Sequence, residues 1–437
     1  VIKLQLDKQI ASFKQDSFYR HTILFMSAGF MTSILNYLYY PIMGRLMGVS
    51  SYGELQIITS FLLQLTTVFV GLNLISVNIV ANHDESEAGA LMIALQKTVF
   101  WLIALACIGM ILAGNILKNF FHFSSAWPFL LIAPALLIDA LSVFWTGYLQ
   151  GHKDFKSLSV YTLSTGLGKI IFSVVLVILG LGVSSGPLGI ALGLLLSLII
   201  VRFVTKHDLP SILKTLQLPQ KHEIRLIKAH LVFIIEVIIA LISMSVLLSI
   251  DILLVKHLFS AQYAGQYAGI ATIARILFYA SAPIVSVMLP AIKIREHRES
   301  QAAFRRTILV SLGICAIGLS IFALIPHFIV HLFLGGAFTS SAHWLPLLGI
   351  IAVLVTLTNI IINYLLALRS HLAVVIGLVS LAVGIPLILI HHATIEQIVM
   401  SASSGLLSGQ LIFWVTFIAK RGKVGQHSIA PVHVAAD

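Results

Sequence analysis

Twelve apolar stretches, each roughly 20–28 residues long, follow one another at nearly even spacing from His21 to Lys420. A hydrocarbon core about 30 Å thick takes around 20 helical residues to cross, so each stretch is long enough to span one. They lie at about 21–47, 54–82, 90–114, 127–150, 157–182, 186–206, 229–255, 264–290, 307–334, 342–368, 371–391 and 395–420. The expected fold is an all-α integral membrane protein of about 12 transmembrane helices. Few charged residues fall near the middle of any stretch, and each is costly there, so function is expected in those few.

The remainder of the chain excludes several classes. The longest segment between stretches runs from about His207 to Lys228, too short for an extramembrane catalytic domain. A net charge of +11 would suggest nucleic acid as partner in a soluble protein. Here the basic residues concentrate in alternate loops: 21 Lys and Arg lie on the side of the termini, and only Arg45, Lys118 and Lys256 on the other. That asymmetry predicts cytoplasmic termini in a cell (inner) membrane, with no nucleic-acid partner. Cys107 and Cys315 fall inside apolar stretches and offer neither a disulfide framework nor metal spacing. No phosphate-binding loop or nucleophile–base arrangement is present, so no cofactor, metal or catalytic residues are expected.

The linker at 207–228 divides the chain into an N-terminal six-helix bundle (1–206) and a C-terminal one (229–420), followed by a cytoplasmic tail (421–437). Pro210, Pro219 and a mixture of basic and apolar residues place the linker along the cytoplasmic lipid surface. Offsetting the halves by 212 residues sets Gly53 on Gly265, Leu46 on Leu258 and Ile58 on Ile270. Six spans is an even number, so such halves are parallel repeats, an architecture suited to alternating access.

The segment Asn36–Glu54 contains Arg45, Gly48, Tyr52 and Gly53, in the pattern Arg-x-x-Gly, short gap, Tyr-Gly. It resembles the first hairpin of the polysaccharide (O-antigen type) flippases. Asp251-Ile-Leu-Leu-Val255 with Ala264-Gly265-Gln-Tyr267 is similar to that family's seventh-to-eighth hairpin. Leu149-Gln-Gly151 followed by Phe155 is similar to its fourth-to-fifth turn. The resemblance implies the multidrug/oligosaccharidyl-lipid/polysaccharide exporter superfamily, with two six-helix bundles forming a V-shaped central cavity. It also implies a polyprenyl-diphosphate-linked glycan as cargo, moved to the outer leaflet for surface polysaccharide synthesis. Partners are then membrane lipids, Na+ or H+ as a coupling ion, and polysaccharide polymerase or ligase proteins. The competing readings are a cation-coupled multidrug exporter of the same superfamily and a membrane-embedded glycan ligase or polymerase.

Against that frame the buried polar residues become candidates. Arg275, mid-span eight, suits phosphate oxygens, or else an ion pair with Asp139 or Glu236. Tyr161, Thr165 and Lys169 recur on one face of span five and read as a cavity wall. Asp139 in span four stands at similar depth and is expected either to pair with Lys169 or to couple a cation. Ser60, Gln64 and Thr67 in span two, and Asn359 and Asn363 in span ten, suit sugar hydroxyls or else hold helices together. Glu236 and Asp251 in span seven read as ion sensors or gate pairs, and Lys97 as a third coupling or gating residue that is long enough to snorkel. Pro41, beside Tyr39 and Tyr40, is expected to let span one bend as a lateral gate.

Overall fold

The computed structural model describes residues 17–82, 85–205, 231–289, 292 and 297–419. The lead before Ser17, the linker at 207–228 and the tail at 421–437 lie outside the described residues. Regular structure among the described residues is helical throughout. We number the main helices α1 (Ser17–Met47), α2 (Val49–Asn82), α3 (Glu85–Phe120), α4 (Ile132–Gly151), α5 (Phe155–Ile178) and α6 (Ser185–Val204) in the first half. The second half has α7 (Leu231–Leu247), α8 (Ile250–Leu258), α9 (Ala261–Ala274), α10 (Ile276–Met288), α11 (His297–Leu324), α12 (Pro326–Leu334), α13 (Leu345–Ala367), α14 (Leu372–Ile390) and α15 (Ile395–Ala419).

Ten helical spans among the described residues are long and apolar enough to cross a membrane, and α7 with α8, bent by 48°, makes an eleventh. The expected twelfth, α1, is helical over 31 residues but is not among them. Expected spans seven, eight and nine are each interrupted: at Leu248–Ser249, at Arg275, and at Ile325 before Pro326. The interruption at Pro326 follows from its missing N–H, which leaves it in the first turn of a new helix rather than within the old one.

The hairpin that opens the chain is tighter than the sequence suggests. The turn expected at 48–53 reduces to Gly48, whose φ of 73° lies in the left-handed region that glycine adopts without strain. Helix α2 then starts at Val49, and the Tyr52 amide bonds back to the Gly48 carbonyl at 3.0 Å.

The helices form two compact units, one comprising 1–47 and 68–231, the other 48–67 and 232–437. This grouping departs from the division expected at 207–228 in one segment: Gly48–Thr67, the first part of α2, belongs with the second half. A glycine contact joins this segment to α9. A Cβ on Gly53 would come 2.7 Å from the Gly265 Cα, and one on Gly265 would overlap the Val49 carbonyl. Helices in lipid gain little from burying apolar surface against each other, so close backbone approach through small residues supplies their attraction.

In the first unit, α5 and α6 meet through Gly168, Gly193 and the Gly189–Ser173 contact, while Gly147 and Gly151 of α4 lie against Ser76 and Val80 of α2. Trp145, Leu149, Leu158, Tyr161, Leu194, Leu198 and Val201 fill the core between α4, α5 and α6. In the second unit, α14 and α15 meet through Gly384 and Gly405, with Gly409 on Ser380. Gly193 and Gly405 stand at the same 212-residue offset that relates Gly53 to Gly265, so one glycine of each seam occupies an equivalent position, while Gly168 corresponds to Ser380 and Gly384 to Phe172. Phe304 of α11 stacks on Tyr364 of α13 at 4.3 Å and meets Phe413 of α15 edge-on at 5.5 Å.

Gly265→Ala forces the α2–α9 seam apart, an overpacking that costs about 1–3 kcal/mol. The thermal midpoint of the solubilised protein should fall by several degrees. Gly313→Ala, where an added methyl meets nothing within 4 Å, should leave it unchanged or slightly raised, since alanine is the better helix former. Equal midpoints for the two variants would show that the seam is not under this constraint.

Candidate functional site

Each unit carries a polar cluster built from residues far apart in sequence. In the second unit the bend between α7 and α8 sets Asp251 in the first turn of α8, where the helix dipole favours an acidic side chain. Asp251 is 5% exposed. Its Oδ1 accepts a hydrogen bond from Arg275 Nη2 at 2.8 Å, and its Oδ2 accepts one from the Tyr267 hydroxyl at 2.9 Å. Arg275 occupies the junction of α9 and α10, ending one helix and preceding the next. A small cavity walled by Leu248, Ala271, Leu348, Ile351, Ala352 and Val355 opens onto this pair.

Helix α2 contributes a polar edge to the same unit. Gln56 donates to the Tyr52 hydroxyl at 2.6 Å, and Gln64 donates to Ser249 Oγ at 3.0 Å, tying α2 to the bend. Glu54 forms an ion pair with Lys256 of α8 at 3.6 Å, in which the lysine side chain is 2% exposed and the glutamate 12%. Elsewhere in the unit, Glu236 pairs with His371 at 3.0 Å. Gln410 of α15 donates to the Leu354 carbonyl and to Thr358 Oγ1 of α13.

In the first unit Lys169 of α5 reaches α1. Its Nζ donates to Asn36 Oδ1 at 3.3 Å and stands 4.1 Å from the Tyr39 ring centroid and 5.5 Å from that of Tyr40. Lys169 sits nine residues before the end of a 24-residue helix, about 13 Å from that end at 1.5 Å per residue, and so at membrane depth. Two aromatic faces and one amide oxygen are neutral partners: cation–π attraction is worth about 0.5–1 kcal/mol at exposed sites and about 2 or more where desolvated. Asp139 makes no ion pair among the described residues; its Oδ1 accepts from Ser142 at 2.9 Å on its own helix. Tyr161 lies beside Ser142 and Asp139, and Thr165 donates to the Tyr161 carbonyl.

With this geometry in place, comparison with known proteins is informative. A family model for polysaccharide biosynthesis proteins matches residues 18–295. The chain belongs to that family. A search of curated proteins finds no match. Among solved structures, the chain resembles an inward-facing multidrug resistance MATE family transporter of the MOP superfamily (TM-score 0.70, 13% identity, 91% of this chain and 98% of that one). It also resembles the lipid II flippase MurJ in an inward closed conformation (TM-score 0.67, 16% identity, 90% and 87%). A MOP superfamily transporter from Pyrococcus furiosus, whose structure is described by a binding pocket of reverse polarity, matches at TM-score 0.56 and 15% identity over 92% and 96%. The fold is that of these MOP superfamily structures, and this member of the polysaccharide biosynthesis family is a multi-pass membrane protein.

The structure pairs Arg275 and Lys169 differently from their sequence reading and places the other candidates as follows. Arg275 is ion-paired, but with Asp251 rather than with Asp139 or Glu236. Lys169 and Asp139 do not pair: the lysine leans on α1, and the aspartate turns back to Ser142. Of the expected sugar ligands, Gln64 is engaged by Ser249, Thr67 by the Leu63 carbonyl, and Ser60 is buried. Asn363 donates to Asn359 one turn away. Lys97 is 7% exposed within α3, Pro41 lies half-buried inside α1, and Arg45 is exposed at the end of that helix. Asn36, Tyr39, Tyr40, Tyr267, Glu54, Lys256, His371 and Gln410 were not singled out as site residues. Asn36, Tyr39 and Tyr40 are spaced i, i+3, i+4, which is a face-forming signal.

Removing one member of the Glu54–Lys256 pair takes the opposite charge away from the other, buried one, a loss of up to about 3–5 kcal/mol. Glu54→Gln and Lys256→Met should each lower the thermal midpoint markedly, and the double variant should recover a substantial part. Strictly additive losses would show that the pair is uncoupled.

Proposed function

We propose that the protein is a flippase that carries a polyprenyl-diphosphate-linked oligosaccharide from the cytoplasmic to the outer leaflet of the cell membrane. The observation that carries this reading is Lys169: a cation at membrane depth with only neutral partners among the described residues, bordered by two tyrosine faces. A diphosphate needs a cation that is not already neutralised, and sugar rings stack on aromatic faces. Arg275, whose charge is shared with Asp251, is the lesser candidate for the anion. Membership of the polysaccharide biosynthesis family and the MOP fold support a transporter of this kind. The Lys and Arg asymmetry of the loops supports cytoplasmic termini.

On this reading the two bundles alternate access to the two leaflets while the lipid tail stays in the bilayer. Membrane potential assists, because an anionic headgroup moving outward gains up to about 2.3 kcal/mol per charge for each 100 mV. The glycan polymerase or ligase that consumes the flipped product is the expected protein partner. Asp139, with no cationic partner among the described residues, is the feature that favours the alternative of a cation-coupled exporter.

The test is translocation of a fluorescent short-chain polyprenyl-diphosphate sugar in proteoliposomes. Wild type should flip it, Lys169→Ala should lose at least about tenfold in rate, equivalent to 1.4 kcal/mol, and Lys169→Arg should retain most of it. Transport of cationic dyes under a pH or Na+ gradient, with no flipping of the lipid, would favour the exporter and direct attention to Asp139.

A further inference from the structure

The surroundings of Asp251 have the makings of a coupling-ion site that is already filled by the protein itself. Broken helices are where transporters coordinate small cations, because an interrupted helix frees backbone carbonyls beside acidic side chains. The break between α7 and α8, with its 48° bend, is such a place, and Asp251 follows it directly. A buried carboxylate without a counter-charge is strongly unfavourable. The counter-charge here is the Arg275 guanidinium at 2.8 Å, with the Tyr267 hydroxyl on the second carboxylate oxygen. Arginine does not lose its proton in proteins, so this counter-charge is permanent and cannot leave.

The other elements around the pair supply no competing charge among the described residues. From α13 the cavity wall is Leu348, Ile351, Ala352 and Val355. Ser380 of α14 and Leu406 of α15 line the cavity on the other flank of Asp251. Besides Tyr267, the titratable groups nearby are Tyr52 of α2 and Tyr279 of α10, both facing Arg275.

We propose that Arg275 is a tethered counter-cation for Asp251, so that the second unit takes neither Na+ nor H+ as a coupling ion at this carboxylate. The corollary is a latent site: with the guanidinium removed, Asp251 becomes a site for a monovalent cation or a proton. The inference concerns the ion and not the cargo, so it holds whether or not the flippase reading is right.

Thermal unfolding of the purified protein in lipid nanodiscs tests this without any transport assay. Wild type should show the same midpoint in NaCl and in N-methylglucamine chloride of equal ionic strength. Arg275→Gln should have a lowered midpoint that climbs with the logarithm of Na+ concentration, as for a ligand that binds only the folded state, or that climbs on acidification. The double variant Arg275→Gln, Asp251→Asn should respond to neither, which separates Asp251 from the other carboxylates that titrate over the same range. An Arg275→Gln deficit that neither cation nor proton relieves overturns the proposal. So does a Na+-specific stabilisation of wild type that Asp251→Asn abolishes. Should Arg275→Gln fail to fold, wild type against Asp251→Asn still decides: matching responses to Na+ support a tethered counter-ion, and differing ones refute it.

Discussion

A charge at membrane depth must be met by another group, because water is not there to meet it. The chain solves that problem in two ways, and the difference between them organises the rest. Asp251 and Arg275 neutralise each other within the second unit, with Tyr267 completing the carboxylate's hydrogen bonds. Lys169, in the first unit, is met by an amide oxygen and two aromatic faces, which stabilise a cation without cancelling it. Ion pairs such as Glu54–Lys256 and Asp251–Arg275 fix helices. A cation held only by dipoles and quadrupoles stays available to an incoming anion.

The same scarcity of water sets how the helices pack. Apolar side chains have little to gain by leaving lipid for a neighbouring helix, so the closest contacts fall where side chains are absent. Gly53 on Gly265, Gly168 on Gly193 and Gly384 on Gly405 bring backbones together in this way. The first of these binds the start of α2 to α9, while Gly147 and Gly151 bind its end to α4. One helix thereby belongs to both compact units. Polar edges reinforce the seams rather than competing with them: Gln64 reaches Ser249 beside the α7–α8 bend, and Gln410 crosses from α15 to α13.

Much of this architecture was legible before any coordinates. Apolar runs define the spans because length and hydropathy suffice for that, whereas the 212-residue offset aligned Gly53 with Gly265 as equivalent positions and did not foretell that the two touch. Local composition was less informative at Gly48, where one left-handed glycine replaces an expected turn. Partners were less legible than positions. Helical periodicity shows which residues share a face but not which helix that face meets. Lys169 and Asp139 have matching depth and opposite charge, yet Lys169 meets Asn36, 133 residues away in sequence. Gln64 read either as a sugar ligand or as a residue holding helices together; the serine it bonds lies 185 residues on, on another helix.

The two polar clusters also differ in what a transport cycle can do with them. On the proposed reading, an ion pair such as Asp251–Arg275, closed within one unit, carries no net charge and so imposes no ionic stoichiometry on the cycle. A cation left open on the other unit has its charge satisfied only while an anion is bound. On the proposed reading, the anionic headgroup serves as that counter-ion, and its release restores the unneutralised state. Cargo and counter-charge are then the same molecule. A cycle of that kind can be driven by the membrane potential acting on the cargo's own charge, with no separate ion required to reset the second unit.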